Sequence, residues 1–207
     1  MKVNLFGGEK MIQSNKILEI AKNNNGMVTS KMVEEQNINR GVLKYLYDKG
    51  ELEKTSRGVY VLPTSWDDEF INLQSRFKKG VFSLETALFL HDLTDRTPIN
   101  FHMTFPAGYN QSMPKKQKIK CYQNKLDIYE RGIIEVPTPL GNKVKVYCVE
   151  KTLCDILLTR NKVDIGVIST AFKRYKDIKN KDIPLLSKYS KLLKVEEKVR
   201  TYLEVLL

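Results

Sequence analysis

The chain has 207 residues, 42% hydrophobic and 29% charged, the proportions of a globular protein with room for one large domain or two small ones. Its 35 Lys and Arg outweigh 24 Asp and Glu, and the formal charge of +11 points to a polyanionic partner. Three cysteines without a C-x-x-C pair argue against a disulfide framework and a zinc site, and no apolar run approaches the ~18 residues of a membrane span.

The N-terminus has no signal-peptide pattern, so a cytoplasmic location is expected. Residues 1–13, with Gly7-Gly8 and a second methionine at Met11, read as a flexible arm or remnant outside the fold. Ser14 is placed to cap a helix reaching about Asn24, with Ile17, Leu18, Ile20 and Ala21 as its apolar stripe. Asn23-Asn24-Asn25-Gly26 stops it, Met27-Val28 is a short apolar connector, and Thr29 or Ser30 caps a second helix carrying Met32 and Val33. After the turn Gln36-Asn37-Ile38, Asn39 caps a third helix with Leu43, Leu46 and Tyr47 on one face and Gly50 as its left-handed stop. Glu51–Thr55 and Val59–Leu62 then form strands joined through Ser56-Arg57-Gly58. Three helices and a basic hairpin within residues 14–63 predict a winged helix-turn-helix.

Pro63 followed by Thr64-Ser65-Trp66-Asp67 marks a domain boundary and a new helix, with Asp67, Asp68 and Glu69 in its first turn and Phe70, Leu73 and Phe77 buried. Ser83 caps the next helix, whose apolar face is Leu84, Ala87, Leu88 and Leu90, and residues 91–98 form a polar exit. Strands follow at 101–105, expected to be half-buried, and at 119–122, 133–136 and 144–147, with a turn-rich connector at 137–142. Helices occupy 150–158, 164–175, 183–190 and 195–206, the last with Val195, Val199, Tyr202, Leu203 and Leu206 in register. The fold class is therefore α+β: an N-terminal winged helix-turn-helix, then a mixed α/β domain at 64–207 with a small central sheet flanked by helices.

The chemistry suits a nucleic acid. Arg40 and Lys44 lie one turn apart on the outward side of the third helix, where arginine reads guanine in the major groove, and Tyr45 is placed to stack or to bond a phosphate. Ser30 and Lys31 at the start of the second helix suit a phosphate, and Lys54, Ser56 and Arg57 on the hairpin suit the adjacent backbone or minor groove. About six phosphate contacts would give a log–log salt slope of about −5. Residues 1–63 hold 10 basic and 7 acidic residues, net +3, while residues 64–207 hold 25 and 17, net +8. The excess lies in Lys115, Lys116, Lys118, Lys120 and Lys125, and in a later group that includes Lys173, Arg174 and Lys176, offset by Asp177 and Asp182. These two runs are either solvated faces or a second polyanion-contacting surface.

Enzyme signals are poor. His91 and His102 read as surface or half-buried residues on different elements, no P-loop, G-x-S-x-G or H-E-x-x-H occurs, and His91, Asp92 and Asp95 are better explained as a helix exit than as a metal site. Cys154 reads as a buried thiol. Glu150, Lys151 and Asp155 open a helix with Leu153 and Ile156 facing inward, a structural arrangement before a catalytic one. No cofactor and no catalytic residue is assigned.

Three segments carry a family resemblance: G-V-Y-V-L-P at 58–63, S-L-E-T-A-L-F-L-H-D-L-T-D at 83–95, and V-E-K-T-L-C-D-I-L-L at 149–158. With them the chain resembles the AbiEi family, the antitoxins of abortive-infection E (type IV) toxin–antitoxin pairs. The third segment departs from the family's E-R-T-x-x-D helix by carrying Lys151 where that motif has arginine, which keeps the charge and loses the bidentate geometry. The resemblance implies a phage-defence antitoxin, not an enzyme, that represses its own operon at inverted repeats in promoter DNA through the winged helix. It also implies a C-terminal antitoxin domain and a nucleotidyltransferase-like toxin with which no stable complex forms. A metal-dependent nuclease targeted by a winged helix, and a plain ligand-sensing repressor, are the alternative readings.

Overall fold

The computed structural model describes residues 5–63 and 68–206, and the expected helix start at Thr64–Asp67 lies outside them. The chain is a mixed α/β protein that divides into two units. One comprises residues up to Lys78 together with Pro137–Lys143; the other comprises Lys79–Val136 and residues from Val144 onward.

In the N-terminal unit, helix α1 spans Leu5–Asn23, so residues 5–13 continue the helix and are not a flexible arm. Ser14 is an interior residue of α1, and its hydroxyl donates to the Lys10 carbonyl at 2.8 Å and does not cap. Asn25 and Gly26 turn the chain at φ 52° and 86° into β1, Met27–Thr29, which local sequence reads only as a connector because its pairing partner lies some thirty residues later. Helices α2 (Ser30–Glu35) and α3 (Gly41–Asp48) follow, then β2 (Glu53–Ser56) and β3 (Val59–Val61). The strands pair antiparallel in the order β1-β3-β2, with a bulge between Lys54 and Ser56. Ile17, Ala21, Val28, Val33, Val42, Leu43, Leu46 and Leu52 form the core.

Helix α4, Glu69–Arg76, also belongs to this unit, which moves the boundary from Pro63 to beyond Lys78. Asp68 caps it, accepting from the backbone N–H groups of Phe70 at 3.1 Å and Ile71 at 3.4 Å. Leu73 and Phe77 are buried, while Ile71 packs on Met27, Val59 and Val61. The other carboxylate oxygen of Asp68 accepts from Thr138 Oγ1 at 2.5 Å and Asn142 Nδ2 at 3.0 Å. Two segments some seventy residues apart thus meet on one buried acid.

The second unit is built on a five-stranded sheet, β4 (Val81–Phe82), β5 (His102–Pro106), β6 (Lys120–Asn124), β7 (Ile133–Pro137) and β8 (Lys143–Tyr147), in the order β6-β5-β4-β8-β7. β4 pairs antiparallel with β5 and parallel with β8, and β5 pairs parallel with β6. His102, Met103, Thr104 and Phe105 are all buried, so β5 is covered on both faces, not half-buried as its alternation suggests. Helix α5 (Leu84–Leu90) begins after Ser83, whose hydroxyl accepts from Thr104 Oγ1 at 2.9 Å and makes no cap bond. Short helices α6 (Ser112–Lys116) and α7 (Leu126–Tyr129) flank β6 in sequence. Helices α8 (Val149–Ile156), α9 (Ile165–Asp177), α10 (Ile183–Leu193) and α11 (Glu196–Leu206) share a core with α5 that includes Leu88, Leu153, Ala171, Phe172, Leu186 and Val199. In α11 Val199 is buried, Tyr202 and Leu203 are partly so, and the side chain of Leu206 lies outside those described. α8 is buried all round, including Glu150, Lys151 and Asp155. None of the described helices is long and apolar enough to cross a membrane.

Candidate nucleic-acid interface

The interface is assembled from the two short helices and the hairpin of the N-terminal unit. Thr29 caps α2 by accepting from Met32 N–H at 3.2 Å. Ser30 is half-buried, and its N–H donates to the Gly58 carbonyl at 2.8 Å, so that donor is spent on the hairpin turn and is not offered to a phosphate. Gly58 adopts φ 78°, which favours glycine, and a Cβ there would sit 3.2 Å from the Ser30 hydroxyl, a tight contact that the serine side chain would have to yield to. The bond brings Ser30 and Lys31 beside Arg57, while Lys31 pairs with Glu35 at 3.4 Å on the solvent side of α2.

Helix α3 is capped as its sequence predicts. Asn39 Oδ1 accepts from Gly41 N–H at 2.8 Å, although regular helix begins only at Gly41. Gly50, at φ 73°, ends it through bonds from Gly50 N–H to Tyr47 O and Glu51 N–H to Leu46 O. Val42, Leu43 and Leu46 face the core; Tyr47, expected there, is 47% exposed and meets Tyr60 edge-on. Because 3.6 residues make a turn, Tyr45 and Tyr47 fall on opposite flanks of the buried stripe, leaving Arg40 and Lys44 outward. Both are exposed. Arg40 is held against Glu34, which fastens the start of α3 to α2.

Tyr45 is half-buried, not outward. Its ring packs on the core and is covered by Lys10 Nζ at 4.0 Å and Lys49 Nζ at 4.7 Å. These two lysines add positive charge beside Tyr45. Lys10 falls in the segment set aside as an arm, though it precedes Ser14 and Ile17 at helical spacing; Lys49 carries no distinguishing local signal. The hydrogen bond with Tyr45 raises the Lys49 pKa above its usual value. On the hairpin, Lys54 and Arg57 are exposed, whereas Ser56 turns toward Asn72 of α4, 3.5 Å away.

In the second unit, Lys115, Lys116, Lys118 and Lys120 are exposed on α6, the turn after it and the start of β6. Lys173 and Lys176 are exposed on α9, and the part-exposed Arg174 pairs with Asp95 and donates to the Asp92 carbonyl at 2.9 Å. That clamp uses the carboxylate of Asp95 and only the backbone of Asp92. His91 donates from Nε2 to the Tyr147 carbonyl at 2.7 Å, and burial lowers its pKa. His102, expected at the surface or half-buried, is 3% exposed, and burial brings its pKa down to about 4. Cys154 is fully buried and its thiol pKa is raised by burial. Among the described residues no group of three or more His, Cys, Asp and Glu side chains is arranged to hold a metal ion.

Residues 15–63 match the family model described as a transcriptional regulator, AbiEi antitoxin. The matched AbiEi segment runs from α1 through the end of the hairpin and contains every DNA-contact residue singled out in the N-terminal unit by sequence. No curated protein sequence matches the chain. Among solved structures, the RV2827C protein from Mycobacterium tuberculosis is similar at a TM-score of 0.53 and 11% identity, covering 87% of this chain and 71% of that one. At that identity the likeness is one of fold.

Proposed function

We propose that the chain is a DNA-binding antitoxin that represses its own promoter, with residues 14–63 acting as a winged helix-turn-helix and no catalytic activity of its own. The observation that carries this is the exposed Arg40–Lys44 face of α3, which lies with the exposed Lys54 and Arg57 of the hairpin inside the segment that matches the AbiEi regulators. In this reading α3 enters the major groove at an inverted repeat, Arg40 and Lys44 meet base edges, and Lys31, Lys54 and Arg57 meet phosphates. Lys115, Lys116, Lys118 and Lys120 add non-specific affinity. The partner toxin is a nucleotidyltransferase-like protein whose effect is countered without a stable complex.

Gel shifts with the sequence upstream of the gene test the reading. Specific retardation should fall steeply with salt, at a log–log slope of about −5. Equal affinity for scrambled DNA, or a flat salt response, would overturn it. Co-expression with the adjacent gene tests the antitoxin half: growth arrest by the neighbour alone, relieved by this chain, is the expected result.

A further inference from the structure

The second unit contains a cavity that DNA binding by α3 does not use. It measures about 170 Å³ and is bounded by Leu84, Tyr122, Asn124, Asp155, Arg160 and Asn161 among others. A cavity of roughly 150 Å³ is enough to admit one benzene ring, so a single heterocycle fits here.

Its walls are of the kind that hold a base. Tyr122 supplies an aromatic surface already stacked on His102, with centroids 5.7 Å apart, and Leu84 supplies an apolar one. Asp155 gives one carboxylate oxygen to Lys151 at 2.7 Å, and no other described side chain donates to that carboxylate. It is therefore an acceptor for ring or exocyclic N–H groups. The Asn161 amide is fixed next to it by donation to the Asp155 carbonyl at 2.7 Å. Arg160 is exposed, steadied by one bond to Asn124 Oδ1 at 3.2 Å, with the rest of its guanidinium open to an anion. Leu84 is held at φ 49°, a left-handed conformation costly for a leucine, and such strain gathers at ligand sites.

We infer that this cavity binds a nucleoside monophosphate unit, base inside against Asp155 and Tyr122, phosphate on Arg160. The unit can come from a free nucleotide, making the site an effector pocket, or from an unpaired nucleotide of a strand.

Titration calorimetry of the full chain with each nucleoside 5′-monophosphate, the matching nucleosides, inorganic phosphate and a short single strand tests the inference. Mononucleotides should bind more tightly than nucleoside or phosphate alone. Arg160→Ala, an exposed change that spares the core, should weaken binding roughly tenfold. Asn161→Ala should change the preference among bases. A strand binding more tightly than the mononucleotide assigns the site to nucleic acid, and the reverse assigns it to a free effector. No binding at millimolar concentration, phosphate binding as well as the mononucleotide, or indifference to Arg160→Ala would overturn the inference. Duplex binding through α3, measured by gel shift on the same Arg160→Ala protein, should be unchanged, so the two proposals fail separately.

Discussion

Lys151 and Asp155, one turn apart on α8, are joined at 2.7 Å with the lysine wholly removed from solvent and its ammonium 3.4 Å from the centroid of the Tyr147 ring. A charge so placed is tolerated because its partner and the ring face replace water. Removing one member alone leaves the other uncompensated. Lys151→Met or Asp155→Leu alone should each cost about 3–5 kcal/mol in urea unfolding, and the two together much less than the sum. Additive losses in this double-mutant cycle would show that the two charges are not coupled.

The buried Asp68 makes a second point of high cost. It caps α4 with one oxygen and with the other holds Thr138 and Asn142. Asp68→Ala removes a cap worth about 1 kcal/mol and strands two buried donors at about 1 kcal/mol or more each. Thr138→Val should cost only part of this. Equal stability of Asp68→Ala and the parent protein would remove the carboxylate from the account.

What was legible in the sequence was local. Asn39, Gly50 and Gly58 announce the cap, the stop and the turn because each is dictated by its own neighbours. Most errors came where a distant partner decides. β1 exists because Met27 pairs with Val61, and α4 joins the N-terminal unit because Asp68 reaches Asn142, whereas β5 is buried by elements near it in the chain, lying between β4 and β6 with α5 and α7 against it. On α3, the exposed placement of Arg40 and Lys44 follows from helical period alone. The neighbours of Ser30, Ser56, Tyr45 and Arg174 (Gly58, Asn72, two lysines and Asp95) follow from no spacing rule, and neither does Glu34 beside Arg40.

The proposed DNA contacts separate into two behaviours. Arg40→Ala should lose about 1–3 kcal/mol on the operator and relax base preference, because a base-edge contact is lost. Glu34→Gln should free Arg40 from its ion pair and raise affinity for operator and scrambled DNA alike. Neutralising Lys115, Lys116 and Lys118 should lower affinity across sequences and flatten the salt slope by about one per lost phosphate contact. Anisotropy titrations at several salt concentrations distinguish the cases, and an unchanged slope after the lysine changes would place that surface against another partner.

His102 gives the second unit a pH dependence of fixed sign. It is buried on β5 with its Nδ1 3.3 Å from the Tyr122 hydroxyl and its Nε2 3.8 Å from a carboxylate oxygen of Glu85, while Lys120 also opposes its protonation. Burial outweighs the attraction of the part-exposed Glu85, and the folded-state pKa falls from 6.5 to about 4. Above pH 6.5 neither folded nor unfolded histidine holds a proton, and the stability it contributes is fully present. As the pH drops from 6.5 toward 4, the unfolded chain takes up the proton first, and stability is lost through that window, by up to about 3 kcal/mol. His91, whose pKa is also lowered by burial, acts in the same direction. Urea midpoints measured between pH 7.5 and 4 should therefore fall, and His102→Gln should flatten most of the decline. A profile identical in the variant would locate the acid sensitivity elsewhere in the chain.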